Sequence, residues 1–275
     1  MPELPEVETV RRGLIAHILD RRIERVTVRD ARLRWPVPKS FATFAQKRRV
    51  VDVGRRGKYL IIGLDNADRI LIHLGMTGRL LVLDVSGSAR PAQKHDHVDL
   101  LLERGLLLRF HDPRRFGAML PWPSKDLSHP LIEGMGPEPF SEEFSGEYLF
   151  RLSRARAVAV KNFIMDGRVV VGAGNIYAAE SLFRAGICPG KGAGKITRAQ
   201  FDLLAEKIRE VLAEAIEQGG TTLRDFASAM GETGYFQQKL FVYGREGEPC
   251  LVCKSPIRRV VIGQRSSYYC PSCQG

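Results

Sequence analysis

At 275 residues, 44% of them hydrophobic, the chain is too long for one typical domain and too apolar for disorder to dominate, so two globular parts are expected. Lys plus Arg number 42 against 31 Asp plus Glu, a net charge of +11 that favours a polyanionic partner. Nucleic acid is preferred over a membrane surface, because the sequence has no apolar span of membrane length and no basic amphipathic stretch rich in Trp or Phe.

The chain opens Met1-Pro2-Glu3-Leu4-Pro5-Glu6-Val7-Glu8, and Val7, Val10, Leu14 and Ile18 then recur at helical spacing with Glu8, Arg11 and Arg12 between them. Proline and glutamate suit the first turn of a helix on structural grounds alone. They also suit chemistry. Loss of Met1 leaves Pro2 with a secondary amine, whose ordinary pKa of about 8 keeps a fraction unprotonated near neutrality, and a helix N-terminus lowers it further. Both readings stand on these residues. The acidic start has no apolar h-region of a secretory signal, which predicts a cytoplasmic protein.

Short Val-, Ile- and Leu-rich runs follow: Ile23 to Val28, Val50 to Val53, Tyr59 to Leu64, Ile70 to Leu74, Leu80 to Leu83, Val98 to Leu102, a turn at Arg104-Gly105, and Leu106 to Phe110. They predict antiparallel strands in a sandwich or barrel. Three polar places interrupt them. Lys58, after Arg55-Arg56-Gly57, is either a solvated strand end or a cation projecting into a groove. Met76 lies in a glycine-bounded loop after His73. His95-Asp96-His97 and His111-Asp112 lack the spacing of a defined metal site. Arg114 and Arg115 beside Phe116 read as a core phenylalanine with flanking charge, or as a wedge with basic contacts on nucleic acid.

Pro and Gly cluster from Pro121 to Pro139 and predict a linker. Beyond it, glycines and Asn175 precede an apolar helix to about Arg184, an ordinary cap that would also suit phosphate. Thr197 and Gln200 form a capping box for a helix ending near Gly219-Gly220. Cys188 stands alone and reads as a buried thiol. Cys250-x-x-Cys253 and Cys270-x-x-Cys273, sixteen residues apart, match one closed, structural Zn2+ site with a hairpin between the knuckles. Arg258, Arg259 and Arg265 on that hairpin suit phosphate.

Taken together, the N-terminal octapeptide, Gly57-Lys58-Tyr59-Leu60, His73-Leu74-Gly75-Met76, Lys94-His95-Asp96-His97, Asp112 to Gly117, Gly174-Asn175-Ile176-Tyr177 and the cysteine finger resemble the formamidopyrimidine-DNA glycosylases along the whole chain. The resemblance implies an α+β fold. Residues 1–135 would form an N-terminal catalytic β-sandwich with flanking helices, 136–150 a linker, 151–236 a helix-two-turn-helix domain and 237–275 the zinc finger, with DNA across the cleft between the halves. It implies a monomer acting on double-stranded DNA that carries an oxidised or abasic nucleotide. Pro2 would be the Schiff-base nucleophile, Glu3 the acid/base, Glu6 its supporting carboxylate, Lys58 a group for β-elimination and Arg265 one for δ-elimination. Met76, Arg114 and Phe116 would fill the void left by the extruded base, and His95, Arg156 and Asn175 would contact DNA. Arg156 stands where some members carry lysine. Residues 221–237 match a loop covering the flipped purine. The rival readings are a sister family preferring oxidised pyrimidines and a non-catalytic zinc-finger DNA-binding protein.

Overall fold

Leu60, Ile62 and Leu64 alternate with Tyr59, Ile61 and Gly63, and in the computed structural model this stretch is a strand with one face buried. The residues described are 2–86, 91–219 and 240–275, so the stretch 221–237 expected to cover a flipped base lies outside them. They form two units, and the chain passes from the first to the second between Glu133 and Gly134.

The first unit starts with helix α1 (Leu4–Ile18) and holds two antiparallel four-stranded sheets. One runs β1 (Ile23–Val28), β6 (Asp96–Leu102), β7 (Leu106–His111), β5 (Arg79–Asp84); the other runs β2 (Val50–Arg56), β3 (Tyr59–Leu64), β4 (Arg69–His73), β8 (Ala118–Trp122). Val53, Leu60, Ile62, Ile70 and Ile72 share one apolar core with Ile23, Val98, Leu100 and Phe110 and with Val7, Val10 and Leu14 of α1. The expected sandwich is therefore present, and each such side chain contributes roughly 1.5–3 kcal/mol by leaving water. A short helix α2 (Phe41–Ala45) adds Phe41 to that core. Arg104 and Gly105 form the expected turn, both in the left-handed region at φ 64 and 68.

The linker expectation meets a correction. Residues 118–122 form strand β8 despite Pro121, which pairs with Ile70 on a sheet edge where no further neighbour needs a proline N–H. Residues 136–150 are likewise no free spacer: Gly136 donates to the Gly167 carbonyl at 2.8 Å, and helix α3 (Gly146–Ser153) begins there with the Ser145 hydroxyl as its cap.

In the second unit α4 (Val160–Met165), α5 (Asn175–Arg184) and α6 (Arg198–Glu217) surround a core that includes Phe163, Tyr177, Leu182, Phe201, Leu204 and Ile208. The Thr197–Gln200 capping box is present. The finger hairpin, β9 (Arg258–Ile262) and β10 (Arg265–Tyr269), turns at Gly263-Gln264, and Ile257 and Cys270 pack with Ala179 and Phe183 of α5. Cys188 is only partly buried, contrary to the expected core thiol.

Candidate functional site

Glu3 caps α1. Its side chain accepts from the Glu6 backbone, and Glu6 Oε2 accepts the Glu3 N–H at 2.8 Å. This reciprocal box places two buried carboxylates beside Pro2, which is half-buried immediately ahead of the helix. One turn on, Glu8 accepts from Arg11, Arg12 and Arg55 at 2.7–3.1 Å. Burial opposes its ionisation, but the three guanidiniums outweigh that and hold its pKa at about 2.

The same ion cluster reaches the next site residue. Arg55 Nη1 donates to the Gly57 carbonyl at 3.0 Å, in the two-residue turn between β2 and β3 that carries Lys58. Gly57 sits there at φ 55, a left-handed conformation that glycine adopts without strain. Lys58 is partly buried rather than a solvated strand end. Its charge is felt by His73, whose ring lies 4.7 Å from that of Tyr59. Burial first, then Lys58 and Arg34, push the His73 pKa down to about 4, with Asp112 opposing. His73 Nδ1 accepts the Gly75 N–H at 3.1 Å, which requires the neutral ring.

Met76 is 40% exposed and Phe116 41%, so neither is a core residue. The Arg114 guanidinium stacks on Phe116 at 4.8 Å. The backbones beneath these tips touch: a Cβ on Gly75 would stand 2.5 Å from the Phe116 carbonyl carbon. His95 stacks edge-on against His111 at 5.9 Å, and its Nδ1 is buried without a partner. The nearby Asp96, Arg109 and Asp99 form a buried ion network, with Arg109 bidentate on Asp99 and 3.0 Å from Asp96, and His111 Nδ1 lies within hydrogen-bond distance of Asp96 at 2.7 Å. Among the described residues the His/Asp motifs do not assemble a metal site.

The remaining site residues belong to the second unit. Asn175 opens α5, and its Oδ1 accepts from the fully buried Lys161 at 2.6 Å while its Nδ2 donates to the Ser266 carbonyl at 3.1 Å. Lys161 also reaches the Ser266 carbonyl and the Ser267 hydroxyl. Lys161 therefore fixes Asn175 against the hairpin that exposes Arg265. Arg156 is exposed, its guanidinium 5.6 Å above Phe163. Neither Lys161 nor Glu8 was expected as a site-supporting residue. Glu8 at i, i+3 and i+4 from Arg11 and Arg12 was readable as a helix ion cluster, whereas nothing local marks Lys161.

The Sγ atoms of Cys250, Cys253, Cys270 and Cys273 lie within 4.8 Å of one another. Four thiolates around a tetrahedral zinc at about 2.3 Å stand about 3.8 Å apart, so the set fits that ion, with every ligand position taken by sulfur. No helix among the described residues is long and apolar enough to cross a membrane.

Three family models match in sequence order: the formamidopyrimidine-DNA glycosylase N-terminal domain over residues 1–119, the H2TH domain of the same enzymes over 135–227, and the zinc finger found in FPG and IleRS over 247–275. A formamidopyrimidine-DNA glycosylase of Pseudomonas putida is 56% identical over 274 residues, covering 100% of both chains. A solved complex of Lactococcus lactis Fpg with abasic-site DNA is similar at TM-score 0.89 and 31% identity, covering 100% of both chains. Another, of the wild-type Lactococcus lactis protein with DNA containing N7-benzyl-Fapy-dG, has a TM-score of 0.90 at 32% identity and covers 99% of each chain.

Proposed function

The chain belongs to the formamidopyrimidine-DNA glycosylase family, and from that premise we propose that its reaction is centred on Pro2 and the capped start of α1. The protein is a DNA glycosylase that excises oxidised purines from duplex DNA, and Cys250, Cys253, Cys270 and Cys273 hold one structural zinc. DNA with a damaged or abasic nucleotide is its partner.

The Pro2 nitrogen, free once Met1 is removed, adds to C1′ of the damaged nucleotide as the bond to the base breaks; the base leaves with the electron pair and takes up the proton that the Pro2 nitrogen gives up. Glu3 gives a proton to the ring oxygen, the sugar opens, and a C1′ iminium forms. A secondary amine suits this because its imine is obligatorily cationic and acts as an electron sink. The sink acidifies the C2′ proton, so β-elimination expels the 3′ phosphate, and δ-elimination then expels the 5′ phosphate. Glu6 holds the Glu3 backbone; Lys58 and Arg265 serve the eliminations and bind phosphate. Met76, Arg114 and Phe116 fill the vacated stack, with Arg114 facing the orphaned cytosine, and His95, Arg156 and Asn175 contact DNA. The enzyme works in the bacterial cytoplasm, where its substrate lies.

The observation that carries this reading is the pairing of Pro2 with a Glu3 buried and fixed by the Glu6 box. Borohydride trapping on duplexes with 8-oxoguanine opposite cytosine tests it: the wild type forms a covalent complex and Pro2→Gly does not. Full trapping and base release by Pro2→Gly would remove the proline from the mechanism. Faster turnover of thymine glycol than of 8-oxoguanine would move the enzyme to the pyrimidine-preferring branch.

A further inference from the structure

The loop Leu74–Gly78 carries Met76 from β4 to β5, and the loop Asp112–Gly117 carries Arg114 and Phe116 from β7 to β8. Because His73 pairs with Ala118 in one sheet and Arg79 with His111 in the other, both loops cross between the sheets side by side. Neighbouring crossings need not move together. Here a single carboxylate joins them. Asp112 is fully buried; its Oδ1 accepts the Thr77 hydroxyl at 2.6 Å and its Oδ2 accepts the Gly117 N–H at 2.8 Å. The Thr77 oxygen in turn accepts the Arg114 N–H at 3.2 Å. Asp112 is itself held, donating its N–H to the His95 carbonyl at 3.0 Å and offering its carbonyl to His97 Nε2 at 2.7 Å.

A carboxylate taken out of water and matched to a hydroxyl and an amide is a poor way to gain stability, since desolvation offsets much of what the bonds return. It is a good way to fix geometry. A wedge that opens a base stack works against an unstacking cost of a few kcal/mol, and each loop left to order on the DNA would add its own entropic cost to that. We propose that Thr77 and Asp112 lock the two loops into one preformed wedge, so that Met76, Arg114 and Phe116 enter the duplex together, and that these two are positioning residues for base extrusion. The proposal rests on the reading of those three side chains as void fillers.

The test compares wild type, Thr77→Val, Thr77→Ser and Phe116→Ala on a duplex with 8-oxoguanine opposite cytosine and 2-aminopurine beside the lesion. Cleavage of an abasic site in single-stranded DNA, which has no stack to refill, gives the reference rate. Thr77→Val keeps the side-chain shape and deletes both hydrogen bonds. It is expected to lower the ratio of duplex to single-strand rates about tenfold, the order expected for a hydrogen bond to a charged group. It should also slow the 2-aminopurine phase that reports insertion, and Thr77→Ser should restore both.

An unchanged ratio and an unchanged fluorescence phase in Thr77→Val overturn the clamp. So does a lower unfolding temperature that leaves the ratio intact, because that marks a merely structural contact. If Phe116→Ala leaves the fluorescence phase untouched, the void-filling reading itself fails and the proposal falls with it. A normal loss in Phe116→Ala with none in Thr77→Val isolates the failure to Thr77 and Asp112.

Discussion

Glu6 Oε2 accepts the backbone N–H of Glu3 at 2.8 Å, so one carboxylate of the first turn holds the position of the other. The bond acts on the backbone that places the Glu3 side chain next to Pro2. Glu6→Ala is therefore expected to cost about 1 kcal/mol of stability, the usual worth of a helix cap, and to slow imine formation about tenfold or more. Glu6→Gln keeps an acceptor oxygen and should retain most of both. Thermal unfolding and single-turnover trapping rates check this; equal rates for wild type and Glu6→Ala would detach Glu6 from the reaction.

Glu8 gives the fold a dependence on acid. Its pKa falls from 4.5 to about 2 on folding, so the unfolded chain binds the proton more readily. The stabilisation is fully present above about pH 4.5 and is lost as pH falls towards 2. It amounts to a few kcal/mol at neutral pH. Glu8→Gln should be less stable than wild type at pH 7 by about that much, and the gap should close between pH 4.5 and 2 in denaturant titrations. A constant gap across that window would contradict the ion cluster.

His73 titrates near 4 because burial and the charges of Lys58 and Arg34 resist a further cation. Its imidazole is expected to stay neutral from pH 5.5 to 8, with ring proton resonances that move only at lower pH. Folding of a histidine with a depressed pKa adds stability that is complete above its unfolded value of 6.5 and is lost as pH falls through 4. In Lys58→Met one of the opposing charges is gone, so the midpoint should rise. An NMR titration of assigned histidines settles both points.

Removal of zinc should loosen the hairpin that exposes Arg265 and weaken binding to a duplex with an abasic-site analogue. Arg265→Ala, with the metal retained, should weaken binding while lowering the salt slope by about one. Fluorescence anisotropy at several salt concentrations, with zinc verified by metal analysis, provides the measurement. Unchanged affinity in metal-free protein would separate the finger from the DNA.

What was legible in the sequence was local. The cysteine pairs, the Thr197–Gln200 box and strands such as Tyr59–Leu64 are read from spacing of a few residues, and all stand in the structure. Strand β8 was hidden by Pro121, because a proline says nothing about which strand will be an edge until the sheet order is known. The roles of Pro2 and Lys58 entered through family resemblance. The support of Lys58 and of Asn175 was not visible, because it comes from distant partners: Arg55, beside Lys58, meets Glu8 47 residues away, and Lys161, which holds Asn175, meets Ser267 106 residues away. Met76 and Phe116 look like core residues by type, and only the corner between two sheets turns them outward.

The buried ammonium of Lys161, shared among Asn175, Ser266 and Ser267, bears on how far the zinc finger can be treated as a detachable part. A finger transplanted onto another scaffold would keep its metal and its hairpin but leave Ser267 and the Ser266 carbonyl without their donor. Its arginines would then have no fixed bearing on the helical part. A working chimera has to carry α4 and the start of α5 along with the finger, so the smallest transferable piece reaches back to Lys161 rather than stopping at the cysteine-bounded segment.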